Sequence, residues 1–255
     1  MPNSTIKFYN RSYCDKNVDG YTISGDYYNT ENTNDRNKNT YATTDGSDTD
    51  GNSVDYVVDL LYERTIDTIV LKSNLKTFVI YYWDGATYQT WETYTDNDEE
   101  FLVIDVSETD TSKIKITATH TISANEEKRI YMFECTEYLT EIYASVPDVN
   151  KNIQRKTFEN IYGGSIQVIK YANHQKFVCK LKWKGLVDAW YTAYALMKEK
   201  MLTDSYNIYI YYSDTYTLLG KDAWYLVNDE DDFDMSPTNE ALTAGVNGSM
   251  LLKEC

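Results

Sequence analysis

A long polar loop that leads into closely spaced apolar strands is the feature that most constrains the fold of this chain. The loop runs from Asn29 to Ser53 and is rich in Asn, Asp, Thr and Gly, whose side chains bond to their own backbone in turns. Because it has almost no aliphatic residues, it cannot form a core of its own. We therefore predict an extended ordered loop that lies on the sheet built by the strands after it, where β proteins often carry binding residues.

The strands that follow the loop are short and come at regular intervals. They are Val54–Leu60, Thr65–Lys72, Lys76–Trp83, Tyr88–Tyr94, Phe101–Val106, Lys113–Thr119 and Arg129–Cys135. Asp84-Gly85 is a hairpin turn signal, and a further strand at Thr5–Tyr13 precedes the loop. The chain has 25 Tyr, which favours strands, and only 3 Pro. This pattern predicts an all-β sandwich over residues 1–145.

Five segments of this half resemble the discoidin, or coagulation-factor 5/8 type C, family of galactose-binding-like β-sandwich modules. They are Asn34-Asp35, Thr40-Tyr41, Val57–Leu60, Ile66–Leu71 and Phe78–Trp83, within residues 10–137. The resemblance implies a jelly-roll-like sandwich. In many members of the family a disulfide joins the two ends of the sandwich, which here would link Cys14 and Cys135. Two reduced cysteines are the alternative, favoured if the protein assembles in a cytoplasm.

Aromatic and planar polar side chains near the loop and the hairpin are candidates for sugar binding. The candidate ligand-binding residues are Arg36, Asn39, Tyr41, Trp83, Asp84, Tyr88 and Trp91. An aromatic ring covers the C–H surface of a sugar, and planar polar groups pair with its hydroxyls. The alternative is that Trp83 and Trp91 are core residues of the hairpin.

Acidic and amide side chains in the polar loop are candidates for a structural calcium site. Asp45, Asp48 and Asp50 alternate on a Gly-containing segment, and alternating carboxylates can supply the oxygen ligands that calcium needs. The discoidin resemblance implies further oxygen ligands near Asn34 and Asp35. The alternative is that these turns are simply solvated.

The second half of the chain has a different pattern, and we place a domain boundary at residues 145–146, giving a second domain over 146–255. Its one clear helix is Leu186–Leu202, in which large apolar residues share one face at helical spacing. Strands at Ser165–Tyr171, Lys176–Trp183 and Ser205–Tyr212 flank it. We therefore predict an α+β domain with one main helix on an antiparallel sheet, in a protein that is mainly β.

Residues 150–227 resemble the β-β-α-β modules of phage tail and baseplate proteins. The resemblance rests on Arg155–Gly164, on a hairpin that ends in Leu181-Lys182-Trp183, and on the helix and the aromatic strand after it. It implies docking to other virion structural proteins and a symmetric homo-oligomer.

Charge and motifs exclude several functions. The net charge of −16 disfavours binding to nucleic acid. No segment is long and apolar enough for membrane insertion, and the first residues lack the pattern of a secretory leader. His120 and His174 stand apart, and no metalloprotease, nucleophile-elbow, phosphate-loop or dinucleotide motif occurs. We therefore expect no enzyme and no cofactor other than the possible structural calcium.

These observations predict a non-enzymatic structural component of a phage virion, in the tail, baseplate or head–tail region, assembled in the host cytoplasm. The sandwich would decorate the particle or attach to a host-surface glycan, and the second domain would dock to other subunits. The alternative is a stand-alone carbohydrate-binding or adhesive module, secreted or surface-borne.

Overall fold

The computed structural model describes residues 4–15, 20–35, 37, 39–46, 49, 51–144, 148–152, 155–158, 167–170, 176–186, 208–212, 223–228, 234–237 and 246–254. Side chains are described between residues 9 and 139 of those ranges. The chain divides into two compact units. One is Asn10–Tyr138, and the other consists of Met1–Tyr9 together with Leu139–Cys255.

The Asn10–Tyr138 unit consists of antiparallel strands and one short 3₁₀ helix, Thr30–Thr33. Its strands are β2 (Thr22–Gly25), β3 (Ala42–Thr43), β4 (Val54–Ser73), β5 (Leu75–Trp83), β6 (Tyr88–Tyr94), β7 (Phe101–Thr121) and β8 (Arg129–Thr136). The strand order is β3-β8-β4-β7-β5-β6, with β2 on the free side of the first half of β4. The expected Asp84-Gly85 turn joins β5 to β6.

Two long strands, β4 and β7, pair along their whole lengths and change register at bulges. Before the bulges β4 pairs with β2, and after them it pairs with β8. The prediction split each of these strands in two. The backbone instead continues through Leu61, which takes a left-handed conformation with φ 60°, so the sequence predicts the paired segments but misses their continuity.

The bent sheet closes on itself around one core. Tyr56 pairs with Ile116 on β7, whereas Phe133 pairs with Leu71 in the second half of β4, yet the rings of Tyr56 and Phe133 lie 5.7 Å apart. The alternating burial of β4 follows from its pattern of apolar and polar residues, since successive side chains point to opposite faces. This unit is therefore a β-sandwich, as the sequence predicts.

The polar loop is fixed to this core by buried polar side chains. Nδ2 of Asn34 donates to the carbonyl oxygen of Phe133 at 2.7 Å. The Thr33 hydroxyl lies 2.6 Å from Oδ1 of Asn34 and 2.7 Å from the hydroxyl of Tyr56. Because a buried amide or hydroxyl is costly without a partner, these bonds hold the start of the loop in place.

The ends of the sandwich also meet. Cys14 and Cys135 are fully buried free thiols whose sulfur atoms lie 3.1 Å apart. Burial, followed by the hydrogen bond to Cys135, raises the pKa of the Cys14 thiol well above its ordinary value. The two cysteines are therefore neighbours, and the Cys14 thiol resists ionisation.

The described part of the other unit is also antiparallel. Its strands are β1 (Ser4–Tyr9), β9 (Tyr138–Ala144), β10 (Asp148–Asn152), β11 (Arg155–Phe158), β12 (Gln167–Lys170), β13 (Lys176–Leu186), β14 (Ile208–Tyr212), β15 (Ala223–Asn228), β16 (Asp234–Pro237) and β17 (Val246–Glu254). The larger sheet has the order β10-β13-β17-β15-β14-β1-β9, with β16 beside β17, and β11 pairs with β12.

The described residues are mainly β, as predicted. The predicted helix Leu186–Leu202 lies outside them except for Leu186, which ends β13. The first strand, predicted at Thr5–Tyr13 within the sandwich, ends at Tyr9 and pairs with β14 of the other unit. The division at residues 145–146 remains a prediction. Within the part of the chain that the structure describes, no helix is long and apolar enough to cross a membrane.

Candidate functional site

The predicted ligand-binding residues fall into two groups, one at the polar loop and one at the β5–β6 hairpin. Tyr41 belongs to the first group and lies just before β3, where Nδ2 of Asn32 donates to its carbonyl oxygen at 3.1 Å. Its half-buried ring meets the ring of Tyr131 on β8, with 5.3 Å between centroids and 68° between planes. Two aromatic rings with differently oriented faces therefore adjoin at the loop.

Two cations lie on these rings. The guanidinium carbon of Arg129 is 5.2 Å from the centroid of the Tyr41 ring, and Nζ of Lys72 is 5.6 Å from the centroid of the Tyr131 ring. Both distances are within the range of cation–π attraction. No carboxylate lies within ion-pair distance of Lys72 among the described residues, so its ammonium protons are available to a ligand.

The guanidinium of Arg129 is only partly engaged by hydrogen bonds and ion pairs within the described structure. Its Nη2 lies 3.5 Å from Oε2 of Glu127, which accepts a hydrogen bond from the Thr43 hydroxyl at 3.1 Å. Its Nε is buried and has no hydrogen-bond partner in the described structure. Burial works against its charge, but a hydrogen bond to Tyr131 and the fields of Tyr131, Tyr41 and Glu127 outweigh it. The pKa of the guanidinium therefore lies above its ordinary value.

Asn74, the residue between β4 and β5, holds this arrangement together. Its Oδ1 accepts a hydrogen bond from the backbone N–H of Arg129 at 2.7 Å, and its Nδ2 donates to the carbonyl oxygen of Glu127 at 2.9 Å. We call the assembled group the loop-end cluster. Its members are Tyr41, Lys72, Glu127, Arg129 and Tyr131.

Only Tyr41 of the predicted sugar-binding residues belongs to this cluster. Asn39 is exposed, and its backbone N–H donates to Oδ1 of Asn37 at 3.2 Å. Arg36 lies outside the described residues. Sequence reasoning missed Arg129 and Tyr131, because they are about ninety positions from Tyr41 and reach it only through the pairing of β3 with β8.

The predicted calcium ligands are not assembled into one site within the described residues. Asn34 points into the core, and Asp48 and Asp50 lie outside those residues. Asp35 accepts hydrogen bonds from the Asn37 backbone N–H at 2.7 Å and the Thr40 hydroxyl at 2.8 Å.

Asp45 lines an open cavity of about 490 Å³ together with Asp26 and Tyr28, apart from the Asp35 turn. Among the described residues, no group of three or more His, Cys, Asp or Glu side chains could hold a metal ion. The Asp35 carboxylate is engaged by hydrogen bonds within its own turn, whereas a calcium ion takes six to eight oxygen ligands. The calcium site therefore remains a prediction.

The second group lies on the outer face of the sheet at the hairpin. Trp83 and Tyr88 pair directly across β5 and β6, and their ring centroids are 5.1 Å apart. Tyr81 lies on the same face, two residues before Trp83. Nζ of Lys115 is 4.8 Å from the ring centroids of both Tyr81 and Tyr88. We call this group the hairpin face. Its members are Tyr81, Trp83, Tyr88, Lys113 and Lys115.

Asp84 and Trp91 have structural contacts. The exposed carboxylate of Asp84 accepts hydrogen bonds within the β5–β6 turn. Trp91 is the extra residue on β6 where the register shifts, so its ring turns to the inner side, 5.2 Å from that of Tyr82. Its Nε1 donates to the Thr109 hydroxyl at 3.3 Å, and the ring packs against the core. Among the predicted residues, the hairpin face therefore contains Trp83 and Tyr88.

No protein-family model matches the sequence, and no curated protein sequence matches it. Several solved structures share a distant likeness with part of the chain. A mutant of chitosan-binding module 1 from a chitosanase/glucanase of Paenibacillus sp. IK-5 is 13% identical, with a TM-score of 0.42, over 50% of this chain and 99% of that chain. The family 32 carbohydrate-binding module of Clostridium perfringens NanJ, solved with galactose, is 19% identical, with a TM-score of 0.41. The match covers 46% of this chain and 93% of that module. A Ruminococcus gnavus family 29 fucosidase, solved with fucose, is 19% identical, with a TM-score of 0.42. The match covers 50% of this chain and 26% of the fucosidase.

Proposed function

We propose that the Asn10–Tyr138 sandwich is a non-catalytic glycan-binding module and that the loop-end cluster is its binding site. One observation carries the proposal. The adjoining rings of Tyr41 and Tyr131 each carry a cation, Arg129 on Tyr41 and Lys72 on Tyr131. Aromatic surface beside hydrogen-bond donors is the combination that sugar sites use, so the cluster fits a ligand with acceptor oxygens.

The cluster offers each kind of group that a sugar needs. The rings of Tyr41 and Tyr131 supply apolar surface for C–H groups. Arg129 and Lys72 donate hydrogen bonds, and the Glu127 carboxylate accepts them, so vicinal hydroxyls can bond in both senses. Two cations face one carboxylate here, which favours glycans that carry an acidic group over neutral ones.

The test is glycan-array binding by the full chain, its Arg129→Ala variant and a Tyr62→Ala control. Tyr62 is 66% exposed and belongs to neither aromatic group, so its variant measures the loss of any exposed aromatic residue. A hydrogen bond to a charged group contributes about 1.5–3 kcal/mol. We expect Arg129→Ala to weaken binding to the best glycan at least tenfold and Tyr62→Ala to leave it unchanged.

Equal binding by the wild type and Arg129→Ala, with both proteins folded by circular dichroism, would place the site elsewhere. Absence of binding to every glycan on the array by the wild type would overturn the proposal. A Tyr131→Phe variant separates the roles of ring and hydroxyl, because it keeps the ring and removes the hydrogen bond to Arg129.

We further propose that this module belongs to a structural component of a phage virion, in the tail, baseplate or head–tail region. The second domain would dock to other virion proteins in a symmetric homo-oligomer. The support is the resemblance of residues 150–227 to tail and baseplate modules. Mass spectrometry of purified particles tests the virion location, and light scattering tests the oligomer. A monomer absent from particles would favour the stand-alone adhesive module instead.

A further inference from the structure

We propose that the hairpin face is a second glycan-binding surface and that it takes an uncharged polysaccharide chain. The inference rests on the proposed glycan-binding function and adds a site that differs from the loop-end cluster in position, shape and charge. Its basis is a row of aromatic rings, in which Trp83 and Tyr88 meet edge to face at 67°, bordered by ion pairs whose charges cancel.

The rings of this face lie side by side on two neighbouring strands. Trp83 and Tyr88 are directly opposite each other, and Tyr81 precedes Trp83 by two residues, which separates them by about 7 Å along the strand. All three rings are half-buried, so each is held by its neighbours and still presents surface to solvent. Such a row suits an extended ligand that lies along the sheet.

The charges of this face cancel in pairs. Nζ of Lys113 lies 2.7 Å from Oδ2 of Asp59, and Nζ of Lys115 lies 3.7 Å from Oδ2 of Asp55. The Thr117 hydroxyl donates to Oδ1 of Asp55 at 2.6 Å. In a chain with 40 acidic and 24 basic side chains, a face with matched charges is neutral against an acidic background.

This balance determines the class of ligand. An anionic ligand would have to compete with Asp55 and Asp59 for the two lysines, and a cationic one would have to compete with the lysines for the carboxylates. A neutral, polyhydroxylated chain displaces no ion pair, because its hydroxyls accept from the ammonium groups and donate to the carboxylates. The rings then cover its apolar C–H surface. An uncharged polysaccharide therefore fits this face better than an acidic glycan.

Two sites on one sandwich have a consequence for affinity. Asn74 anchors the loop-end cluster at the start of β5, and Trp83 ends the same strand. Nine residues of extended chain span roughly 30 Å. A glycan with an uncharged run and an acidic group about this far apart would bind the second site intramolecularly, which can raise apparent affinity by about 10²–10⁴-fold.

The test measures how strongly a panel of immobilised neutral polysaccharides, α-linked and β-linked, retains the full chain. The Trp83→Ala and Tyr131→Ala variants are measured on the same panel. A third variant, Thr90→Glu, places a charged side chain opposite Tyr81 on the same face. Thr90 is exposed, so this substitution blocks the surface without disturbing the core. Tyr62→Ala again serves as the matched control.

We expect at least one neutral polysaccharide to be retained by Tyr131→Ala and to bind Trp83→Ala and Thr90→Glu at least tenfold more weakly. Retention that survives Trp83→Ala and Thr90→Glu but is lost in Tyr131→Ala would overturn the second surface and leave the proposed function intact. Retention lost only in Trp83→Ala and Thr90→Glu, with acidic glycans unbound, would support this surface and overturn the loop-end site. No retention of any neutral polysaccharide by the wild type overturns the inference.

Discussion

Asp84 fixes the turn of the hairpin that carries Trp83 and Tyr88. Its Oδ1 accepts hydrogen bonds from the backbone N–H groups of Ala86 at 2.8 Å and Thr87 at 2.7 Å, and its Oδ2 accepts one from Nε2 of Gln89 at 2.8 Å. All three bonds favour the ionised carboxylate. The bonds to Thr87 and Ala86 have the largest effect and lower the pKa of Asp84 to about 2.

This pKa predicts how the turn responds to acid. Because the folded-state pKa lies below the ordinary value of 3.8, the contribution of Asp84 to stability is fully present above about pH 4. It is lost as the pH falls towards about 2. Carbon-13 NMR of the carboxyl group should give a midpoint near 2 in the folded protein, with the Ala86 and Thr87 amide shifts moving together with it.

Asp84→Asn is the control for this titration, since its turn amides should show no transition in that pH range. A midpoint near 4 in the wild type would contradict the hydrogen bonding described for the turn. The sequence predicts the turn from Asp84-Gly85 but assigns the aspartate to sugar binding. In the structure its carboxylate accepts the hydrogen bonds of the turn, and its role in sugar binding stays a prediction.

At the scale of elements, Leu61 shows why two predicted strands are one. Residues 61–63 are exposed, and their side chains give no alternating pattern, so they resemble a connection in the sequence. In the structure the ladder to β7 resumes at Arg64 after a bulge. A bulge inserts extra residues without ending a strand, and hydrophobic periodicity alone does not distinguish it from a loop.

Leu61 also gives a stability prediction. A left-handed conformation costs a non-glycine residue about 1–2 kcal/mol, and glycine avoids this cost at some expense in chain entropy. Leu61 is 55% exposed, so removing its side chain sacrifices little burial. We expect Leu61→Gly to raise the free energy of unfolding by up to about 1 kcal/mol in urea titrations.

Tyr62→Gly is the matched control for this prediction. Tyr62 is the next residue and is also exposed, but it has no positive φ, so glycine there should destabilise by about 0.5–1 kcal/mol. If both glycine variants lose stability equally, Leu61 is not strained.

Comparing the predicted site residues with their observed positions shows how much local sequence reveals about the two sites. Trp83 and Tyr88 are predictable because the hairpin brings them together from five positions apart. Trp91 follows Tyr88 by three residues, an odd spacing that places the two side chains on opposite faces of a strand, and its ring packs against the core, which is the alternative stated for it. Arg129, Tyr131 and Lys72 are not predictable as partners of Tyr41, because their proximity depends on pairing between strands that are distant in the chain.

At the scale of the whole molecule, Cys14 and Cys135 connect the two ends of the sandwich. Their sulfur atoms are already in contact, so oxidation needs only a small approach. Linking residues 121 positions apart restricts the unfolded chain, with a stabilisation on the order of 4–5 kcal/mol in the chain-entropy description. Because the pKa of Cys14 is raised by burial, the thiolate is scarce and oxidation should be slow in the folded state.

The measurement is the urea midpoint of the oxidised and reduced full chain, in a background with Cys179→Ser and Cys255→Ser. We expect a higher midpoint after oxidation, and no difference once Cys14→Ser is added. Equal midpoints in a sample proven to contain the Cys14–Cys135 bond would show that the bond strains the native sandwich by as much as it restricts the unfolded chain.

The last prediction concerns where the sandwich begins and ends as a folding unit. Its terminal residues are bonded to each other, since the backbone N–H of Asn10 donates to the carbonyl oxygen of Glu137 at 2.9 Å and the Thr136 hydroxyl donates to the Asn10 carbonyl at 2.6 Å. The strand before them, Ser4–Tyr9, pairs with Ile208–Tyr212 of the other unit.

We therefore expect a fragment of residues 10–138 to unfold cooperatively in urea, with a slope of about 1–3 kcal/mol/M. A fragment of residues 1–145, the domain predicted from the sequence, also contains β1 and β9, which neighbour each other in the sheet of the other unit, but it lacks β14 and the rest of that sheet. We expect it to unfold at the same midpoint, because an isolated pair of strands adds little stability. If the shorter fragment is unfolded or clearly less stable than the longer one, residues 1–9 or 139–145 contribute to the sandwich and the unit is larger than its contacts indicate.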